Sequence, residues 1–216
     1  PAFGLVDVAA TEILSPTGSI PYGVPVTPQA KVWNFGAGQQ TFPVEFTIGT
    51  VYVDTEYVTL SPGESAVVSF ADWTPMAKGT YTTKAKTLLV GDEVPGNDEV
   101  EGSVDVYLVD VQPTEIIRPV GEVDSGAVIS PQVKVRNNGS STASFYVQLK
   151  IGSSYDQQRL VIGLAPDEER TITGFPNWTV PAYGVYPVLC TTRLSGDMIT
   201  SNDLMIDSCW AFLRDV

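Results

Sequence analysis

Apolar and polar residues alternate with a period of two in many short segments of this chain. Val6, Val8 and Ala10 alternate with Asp7 and Ala9, and similar segments recur along the sequence. This is the period of a β-strand with one buried face, and β-branched and aromatic residues, which favour strands, dominate these segments. Glycine and proline separate them, and no segment combines a helical period with caps. In the first half, strands are predicted near residues 5–14, 27–35, 42–48, 52–60, 64–70, 79–89 and 99–108.

The second half of the chain repeats the first. Phe70 and Trp73 return as Phe175 and Trp178, and the offset between matched positions grows only from 103 to 105 residues along the unit. Two domains are therefore predicted, 1–108 and 109–216. Each has the size of a seven-stranded sandwich, so the expected fold is all-β, with two tandem immunoglobulin- or fibronectin-III-like antiparallel β-sandwiches of about seven strands each.

The phrase Leu-Val-Asp-Val marks the start of each unit, at 5–8 and 108–111, and Leu-Arg-Asp-Val stands at 213–216. No Gly/Ser-rich linker separates the units, which predicts a stiff joint. The third occurrence predicts continuation, either as further repeats of a longer chain or as copies of the protein associating head to tail. A head-to-tail contact that does not close gives an open filament.

Composition excludes several classes of function. The chain has 12 basic and 25 acidic residues, a net charge of −13, so nucleic acid is not an expected partner. There is no uncharged apolar run of 18 residues, and hence no expected membrane-spanning helix. Histidine is absent, and there is no nucleophile elbow, phosphate loop or metal-binding cysteine pair. The chain is therefore predicted not to be an enzyme.

Short motifs at matching places in both units resemble the CARDB domain, the cell-adhesion-related domain found in bacteria. In the first unit they are Asp7, Asn34-x-Gly36, Leu60-Ser61-Pro62-Gly63-Glu64, Trp73-Thr74-Pro75, Gly79-Thr80-Tyr81 and Asn97-Asp98. The second unit departs in two places. Val180-Pro181 follows its Trp-Thr pair, and Asp197-Met198 stands where the first unit has Asp92-Glu93. The resemblance implies an extracellular, tandem module that acts as a spacer or in adhesion, and it implies no catalytic residue.

The aromatic residues form two groups. Trp73 and Trp178 occupy matching positions near Tyr81 and Tyr186, so core packing is favoured over sugar stacking. Trp33 differs, because its counterpart is Arg136 and strand parity places it on the outer face. An exposed patch on the first unit is predicted from Trp33, Phe35, Tyr22, Tyr52 and Tyr57. Such a patch would bind a surface glycan or protein, whereas the alternative is ordinary edge packing.

One acidic hairpin of the first unit is a candidate cation site. Asp92, Glu93, Asn97 and Asp98 lie within seven residues, and oxygen ligands suit a hard cation such as Ca²⁺. The spacing is not that of an EF-hand, and these residue types also form turns. No cofactor other than Ca²⁺ is predicted.

Two covalent modifications are predicted in the second unit. Cys190 and Cys209 lie symmetrically about a hairpin loop taken to span 195–204, so they are expected to face each other and to form a disulfide if the chain is secreted. The alternative is a pair of buried free thiols. Asn138-Gly139-Ser140 fits the N-glycosylation pattern.

The function predicted is that of an extracellular structural or adhesive repeat in a cell-surface fibre, stalk or filament. Two alternatives remain open at this point. One is a carbohydrate- or protein-binding module that uses the aromatic residues of the first unit, and the other is an accessory domain pair of a larger secreted enzyme.

Overall fold

A computed structural model describes residues 4–213. The chain divides into two compact units, Pro1–Tyr107 and Leu108–Val216. The boundary thus falls one residue before the expected one. Residues 214–216, which complete the third copy of the repeated phrase, lie outside the described residues.

Unit 1 is a sandwich of two sheets. Its strands are β1 (Val8–Ser15), β2 (Gly18–Pro21), β3 (Gln29–Asn34), β4 (Gln40–Ile48), β5 (Tyr52–Leu60), β6 (Ser65–Ser69), β7 (Gly79–Thr87) and β8 (Glu99–Tyr107). One sheet has the order β1-β3-β6 and the other β2-β8-β7-β4-β5. Its strands alternate between buried and exposed side chains, as β3 and β4 show most clearly.

Unit 2 repeats this arrangement. Its elements are β9 (Val111–Arg118), β10 (Gly121–Asp124), β11 (Val128–Ile129), β12 (Gln132–Asn137), β13 (Ala143–Ile151), β14 (Tyr155–Leu164), β15 (Glu169–Ile172), β16 (Trp178–Thr179), β17 (Gly184–Arg193), the 3₁₀ turn Thr200–Asn202 and β18 (Leu204–Phe212). The sheets have the orders β15-β12-β9 and β10-β18-β17-β13-β14, with a small β11-β16 pair beside them.

The predicted all-β, tandem sandwich fold is confirmed, and the seven predicted strands correspond to β1 and β3–β8. The prediction missed β2 and its counterpart β10, which pair in parallel with β8 and β18. These four-residue strands have no fully buried side chain, so they lack the strong alternation of the others. No helix among residues 4–213 is long and apolar enough to cross a membrane.

Each unit has its own hydrophobic core between its two sheets. The core of unit 1 is built around Phe42, Phe46 and Ile48, and that of unit 2 around Phe145, Leu149 and Ile151. These side chains come from the inward positions of β4 and β13, the strands next to the outer edge of each five-stranded sheet. Because each core is complete within its unit, the duplicated sequence encodes two independent hydrophobic cores.

Candidate functional site at the start of each unit

A buried asparagine holds the turn that follows β3. Asn34 accepts a hydrogen bond from the Gly36 amide (2.9 Å) and donates from Nδ2 to the carbonyls of Gly38 (2.8 Å) and Leu60 (2.9 Å). Asn137 makes the same three bonds in unit 2, to Gly139 (2.8 Å), Ser141 (2.9 Å) and Leu164 (2.8 Å). Both side chains are fully buried. A buried amide is stable only when it is bonded in this way, which explains the repeated Asn at this position.

The glycine two positions later is required by a close approach of the backbone. A Cβ atom on Gly36 would lie 2.8 Å from the Leu5 carbonyl oxygen, and one on Gly139 would lie 3.1 Å from that of Leu108. The first of these separations is too short for any side chain. The repeated Asn-x-Gly motif therefore marks the place where the first residues of each unit pass against this turn.

The leading segment of each unit pairs with the same turn. The amides of Phe35 and Gly36 both donate to the Asp7 carbonyl at 2.9 Å, and the Ala37 amide donates to Leu5 at 2.8 Å. In unit 2 the amides of Asn138 (3.0 Å) and Gly139 (3.1 Å) donate to Asp110, and that of Ser140 donates to Leu108 at 2.8 Å. The Leu-Val-Asp phrase is thus an integral part of each sandwich.

The hairpin between the last two strands covers the other side of this segment. Asp92 accepts a hydrogen bond from the Val8 amide at 2.8 Å, and the Glu93 amide donates to the Val6 carbonyl at 2.9 Å. Asn97 donates from Nδ2 to Oδ1 of Asp7 at 2.9 Å.

The equivalent bonds in unit 2 join the Val111 amide to Asp197 (3.0 Å), Met198 to the Val109 carbonyl (2.8 Å) and Asn202 to Asp110 (3.0 Å). In each unit, the Asp and Asn residues of the leading segment, the Asn-x-Gly turn and the last hairpin form a set that we call the Asp–Asn lock. It comprises Asp7, Asn34, Asp92, Asn97 and Asp98 in unit 1, and Asp110, Asn137, Asp197, Asn202 and Asp203 in unit 2.

The last lock residue along each unit is an aspartate whose charged form is disfavoured. Asp98 accepts a hydrogen bond from the Thr87 hydroxyl at 2.8 Å, and Asp203 accepts one from Thr192 at 2.9 Å. Burial raises the pKa of Asp98, and the negative charges of Asp92 and Asp7 raise it further. Burial likewise raises the pKa of Asp203, with Asp197 and Asp110 adding to the effect. The hydroxyl bond opposes this shift and does not cancel it.

Three of the four residues of the candidate calcium site, Asp92, Asn97 and Asp98, belong to this lock. Asp92 accepts from the amides of Val8 and Val94, Asp98 from Thr87, and Glu93 from the Val6 amide at 3.4 Å. Asn97 uses its amide nitrogen on Asp7. Among residues 4–213 no group of three or more His, Cys, Asp or Glu side chains is placed to hold a metal ion. The geometry gives these oxygens a role in joining segments, and calcium binding remains a prediction from the sequence.

The five residues of the predicted aromatic patch do not form one surface. Tyr57 lies on β5 of the five-stranded sheet, whereas Trp33 lies on β3 of the other sheet. Tyr22 and Tyr52 pack against the core, and the Tyr52 hydroxyl donates to the Ala71 carbonyl at 2.6 Å. Burial, with Asp54 nearby, raises the pKa of Tyr52 to about 12.

Only Trp33 and Phe35 of that predicted patch stack on each other. Their ring centroids are 5.4 Å apart and their planes differ by 1°. The Lys31 ammonium lies 5.8 Å from the Trp33 ring, and Phe35 is 48% exposed. Strand parity places Trp33 on the outer face of its sheet because Val32 and Asn34, on either side of it, point into the sandwich.

The two repeated tryptophans lie in the cores. Trp73 contacts Tyr81 edge to face, with ring centroids 5.5 Å apart, and Trp178 contacts Tyr186 in the same way at 5.6 Å. Both indoles are buried. The hydroxyl of each tyrosine donates to the carbonyl four residues earlier, that of Ala77 or Ala182.

The predicted disulfide is wrong, because the register of the hairpin differs from the one assumed. Cys190 faces Met205, and Cys209 faces Tyr186. The cysteines are thus four positions apart along the strands, which corresponds to about 13 Å between Cα atoms, whereas a disulfide requires less than about 7 Å.

Both cysteines are buried free thiols. Burial raises the pKa of Cys190 to about 12. Burial together with Asp207 raises the pKa of Cys209 to about 11. The prediction assumed a hairpin register centred between residues 199 and 200. The pairing is centred between residues 197 and 198, and the β7–β8 hairpin of unit 1 has the equivalent register, with Ala85 facing Val100.

The predicted glycosylation site lies beside the lock of unit 2. Asn138 is half-buried, and its Nδ2 donates to Oδ2 of Asp110 at 2.7 Å. A glycan on this nitrogen would have to share it with a buried carboxylate, and glycosylation of Asn138 remains a prediction.

Sequence reasoning recognised several lock residues as motif members but not their mutual contacts. Thr87 and Thr192 were missed altogether, although their spacing of 105 residues matches that of the repeat. The signal that identifies them is the presence of the same polar residue in both copies at a position where strand parity predicts burial.

The two units are tandem immunoglobulin-like β-sandwich modules. Each has a three-stranded sheet, a five-stranded sheet and a leading segment that is hydrogen-bonded to the Asn-x-Gly turn and to the last hairpin. No protein-family model matches the chain, and no curated protein matches it.

Among solved structures, the chain is similar to CARDB domains. The CARDB domain of the PF1109 protein from Pyrococcus furiosus, solved in complex with di-metal ions, is 24% identical and covers 49% of this chain and 90% of its own length, with a TM-score of 0.41. A solution structure of the same domain is 22% identical and covers 48% and 94%, with a TM-score of 0.38. The fibronectin(III)-like modules of Clostridium thermocellum CbhA are 16% identical and cover 96% and 94%, with a TM-score of 0.29. These similarities concern the fold.

Proposed function

We propose that this chain is a pair of extracellular structural repeats, part of a cell-surface fibre, stalk or filament, with no catalytic role. The observation that supports this most directly is the connection between the units. β8 ends at Tyr107 and β9 begins at Val111, so only three residues connect them.

All three connecting residues are hydrogen-bonded within unit 2. The Leu108 amide donates to the Ser140 hydroxyl at 3.0 Å, and the Val109 carbonyl accepts from Met198 at 2.8 Å. Asp110 accepts from Asn138 and Gly139 through its carbonyl and from Asn202 through its side chain. The three residues are therefore fixed to unit 2, and so short a connection supports the proposal of a joint with restricted bending.

The duplicated lock supports the same proposal. In each unit the lock joins the leading segment to the rest of that same unit. The same connection can therefore be repeated any number of times along an array. This is the property expected of a module in an array, where each repeat contributes its own core and a standard connection to its neighbour.

An insertion tests the restricted joint. Four residues, Gly-Ser-Gly-Ser, are placed between Tyr107 and Leu108, and the same four are placed between Thr50 and Val51, in the exposed turn between β4 and β5, as the control. Small-angle scattering and residual dipolar couplings report the spread of inter-unit orientations. A narrow spread is expected in the wild type and in the turn variant, and a broad one in the joint variant. A wild-type spread as broad as that of the joint variant would contradict the proposal.

A second candidate function is binding of a surface glycan or protein through Trp33 and Phe35. The stacked pair is specific to unit 1, because Arg136 and Asn138 occupy these positions in unit 2. The double variant Trp33→Arg, Phe35→Asn installs the residues of unit 2 and should keep the fold. If the pair binds a glycan, the variant loses the signal that the wild type gives on a glycan panel. Absence of any wild-type signal removes carbohydrate as the ligand.

A further inference from the structure

The two units differ sharply on the outward face of their five-stranded sheets. In unit 1 the outward side of β7 and β8 carries Thr80, Lys84, Glu99, Glu101 and Asp105. Lys84 pairs with Glu99 at 2.7 Å and with Glu101 at 2.9 Å. The Thr80 hydroxyl donates to Asp105 at 2.6 Å. These contacts form a polar ladder suited to a face in water.

In unit 2 the positions 105 residues later are apolar. They are Val185, Leu189, Leu204, Ile206 and Trp210, and we call them the β17–β18 patch. Val185 faces Trp210 and Leu189 faces Ile206 in the register of the hairpin, and the pair Pro187 and Ser208 lies between them on the same face. The exposed fractions are 63% for Val185, 64% for Ile206, 48% for Leu204 and 43% for Trp210. Each of these five residues is thus replaced by an apolar one, whereas Lys86, which lies 3.7 Å from Glu99, is matched by Thr191.

The fold of the unit does not require this replacement. The opposite face of the hairpin already supplies Val188, Cys190, Cys209 and Ala211 to the core. Unit 1 builds the same sheet with charges on its outer face. An exposed, mostly apolar surface that the fold does not need, and that lowers solubility, is the signature of a contact surface.

We propose that this patch is covered by the same patch of a second copy of the chain, in a two-fold symmetric dimer that packs sheet against sheet. This contact is side by side, so it goes beyond the end-to-end arrangement of the proposed function. A two-fold contact requires a self-complementary surface. The five residues of the patch carry no charge, so two copies can meet without burying unpaired ions at the centre.

The charges beside the patch favour a second copy. Glu122 on β10 lies next to Trp210 on one side, and Lys150 on β13 lies next to Leu189 on the other side. A two-fold axis parallel to the strands places the acidic side of each copy over the basic side of its partner. Lys150 also has a carboxylate nearby, with Asp156 at 3.2 Å.

The area is also appropriate. Tyr183 and Phe212 extend the apolar surface at one end, with their ring centroids 6.5 Å apart. Together with the patch they expose on the order of 600 Å² of apolar surface, close to the roughly 800 Å² that each partner buries in a standard interface. Face-to-face packing of two sheets is a stable arrangement in its own right.

Sedimentation equilibrium of the full chain, from low micromolar to near-millimolar concentration, tests the proposal. The wild type should show a reversible monomer–dimer equilibrium. Ile206→Glu and Trp210→Asp install the residues of unit 1, Glu101 and Asp105, at these positions. Each should raise the dissociation constant of the dimer at least about 100-fold, because a charge would be buried in the interface. Hydrogen exchange checks that both variants keep the fold.

Val67→Glu is the matched control, because Val67 is a 52% exposed apolar residue on β6, in the three-stranded sheet of unit 1. This variant should dimerise as the wild type does. The proposal is overturned if the wild type stays a 23.2 kDa monomer throughout the range, if Ile206→Glu dimerises normally, or if Val67→Glu abolishes the dimer. A longer oligomer that survives Ile206→Glu also overturns it, while remaining compatible with the end-to-end array.

Discussion

Asn97 donates a hydrogen bond from Nδ2 to Oδ1 of Asp7 at 2.9 Å, across 90 residues of chain. Asn202 makes the same bond to Asp110 at 3.0 Å in unit 2. Asp7 and Asp110 are both buried. Among residues 4–213, the side-chain oxygen of each of these two asparagines is buried and has no hydrogen-bond partner. Each bond therefore joins the start of a unit to its last hairpin through one neutral amide and one carboxylate.

Replacing that amide with a carboxylate should weaken unit 1. Asn97→Asp removes the donor to Asp7 and brings two negative charges together in a partly buried place. We expect a loss of about 2 to 4 kcal/mol in the free energy of unfolding of unit 1 at neutral pH. Native-state hydrogen exchange read by mass spectrometry measures this, because it reports each unit separately.

Asn97→Ala and Asn202→Asp are the controls for this prediction. The alanine variant loses one hydrogen bond and gains no charge, so its loss should be about 1 kcal/mol. Asn202→Asp should weaken unit 2 and leave unit 1 unchanged. Equal stability of Asn97→Asp and the wild type would show that the bond to Asp7 does not hold the unit closed.

The pH dependence of stability should reveal the disfavoured charge of Asp98. Its pKa is raised above the ordinary value of 3.8, so its favourable contribution is present below that value and is lost as the pH rises through the higher folded pKa. Asp98→Asn keeps an oxygen for Thr87 and removes the charge. The variant should be more stable than the wild type at neutral pH, and the difference should shrink in acid.

Glu99→Gln should change the pH dependence of stability in the opposite direction. The hydrogen bond from Lys84 lowers the pKa of Glu99 below its ordinary value of 4.5. Its contribution is therefore present above that pH and is lost as the pH falls through the folded pKa. Glu99→Gln should be slightly less stable than the wild type at neutral pH and equal to it in acid. Urea unfolding of both variants over a pH series would distinguish these two slopes.

The two thiols should stay unbridged under oxidising conditions. Intact-mass measurement after alkylation should find two modified cysteines only when the chain is unfolded, because both are buried in the native state. Cys190→Ala and Cys209→Val install the unit 1 residues Ala85 and Val104. Each should change stability by less than about 1.5 kcal/mol. A mass two hydrogens lower without reductant would contradict the register described above.

One turn differs between the units in a way that stability measurements can detect. Asp167 adopts a φ of 60°, and Gly63 occupies the same turn of unit 1 with a φ of 76°. A side chain in this left-handed region costs about 1 kcal/mol. Asp167→Gly should stabilise unit 2 by up to that amount, since the ion pair it loses, 3.8 Å from Arg136, is exposed and weak. Gly63→Asp should destabilise unit 1, and stabilisation by Gly63→Asp would contradict this explanation.

The pattern of residues was sufficient to predict the all-β fold, the duplication and most strands. β3 and β12 illustrate why, since alternation of buried and exposed side chains follows directly from the period of a strand. The contrast between the polar ladder of unit 1 and the apolar patch of unit 2 is also a property of the sequence. Aligning the two copies of the repeat matches Lys84 with Leu189 and Glu101 with Ile206, which is enough to reveal it.

The sequence by itself determined which segments repeat and which face of each strand is apolar, because both properties are local. The tertiary structure decided the register of the β17–β18 hairpin, and with it that Cys190 faces Met205. It also decided the role of the acidic residues, because the donors to Asp92 and Asp7 come from 84 and 90 residues away. Spacing along the chain cannot supply such partners. Only the closing of each sandwich brings the leading segment, the Asn-x-Gly turn and the last hairpin together.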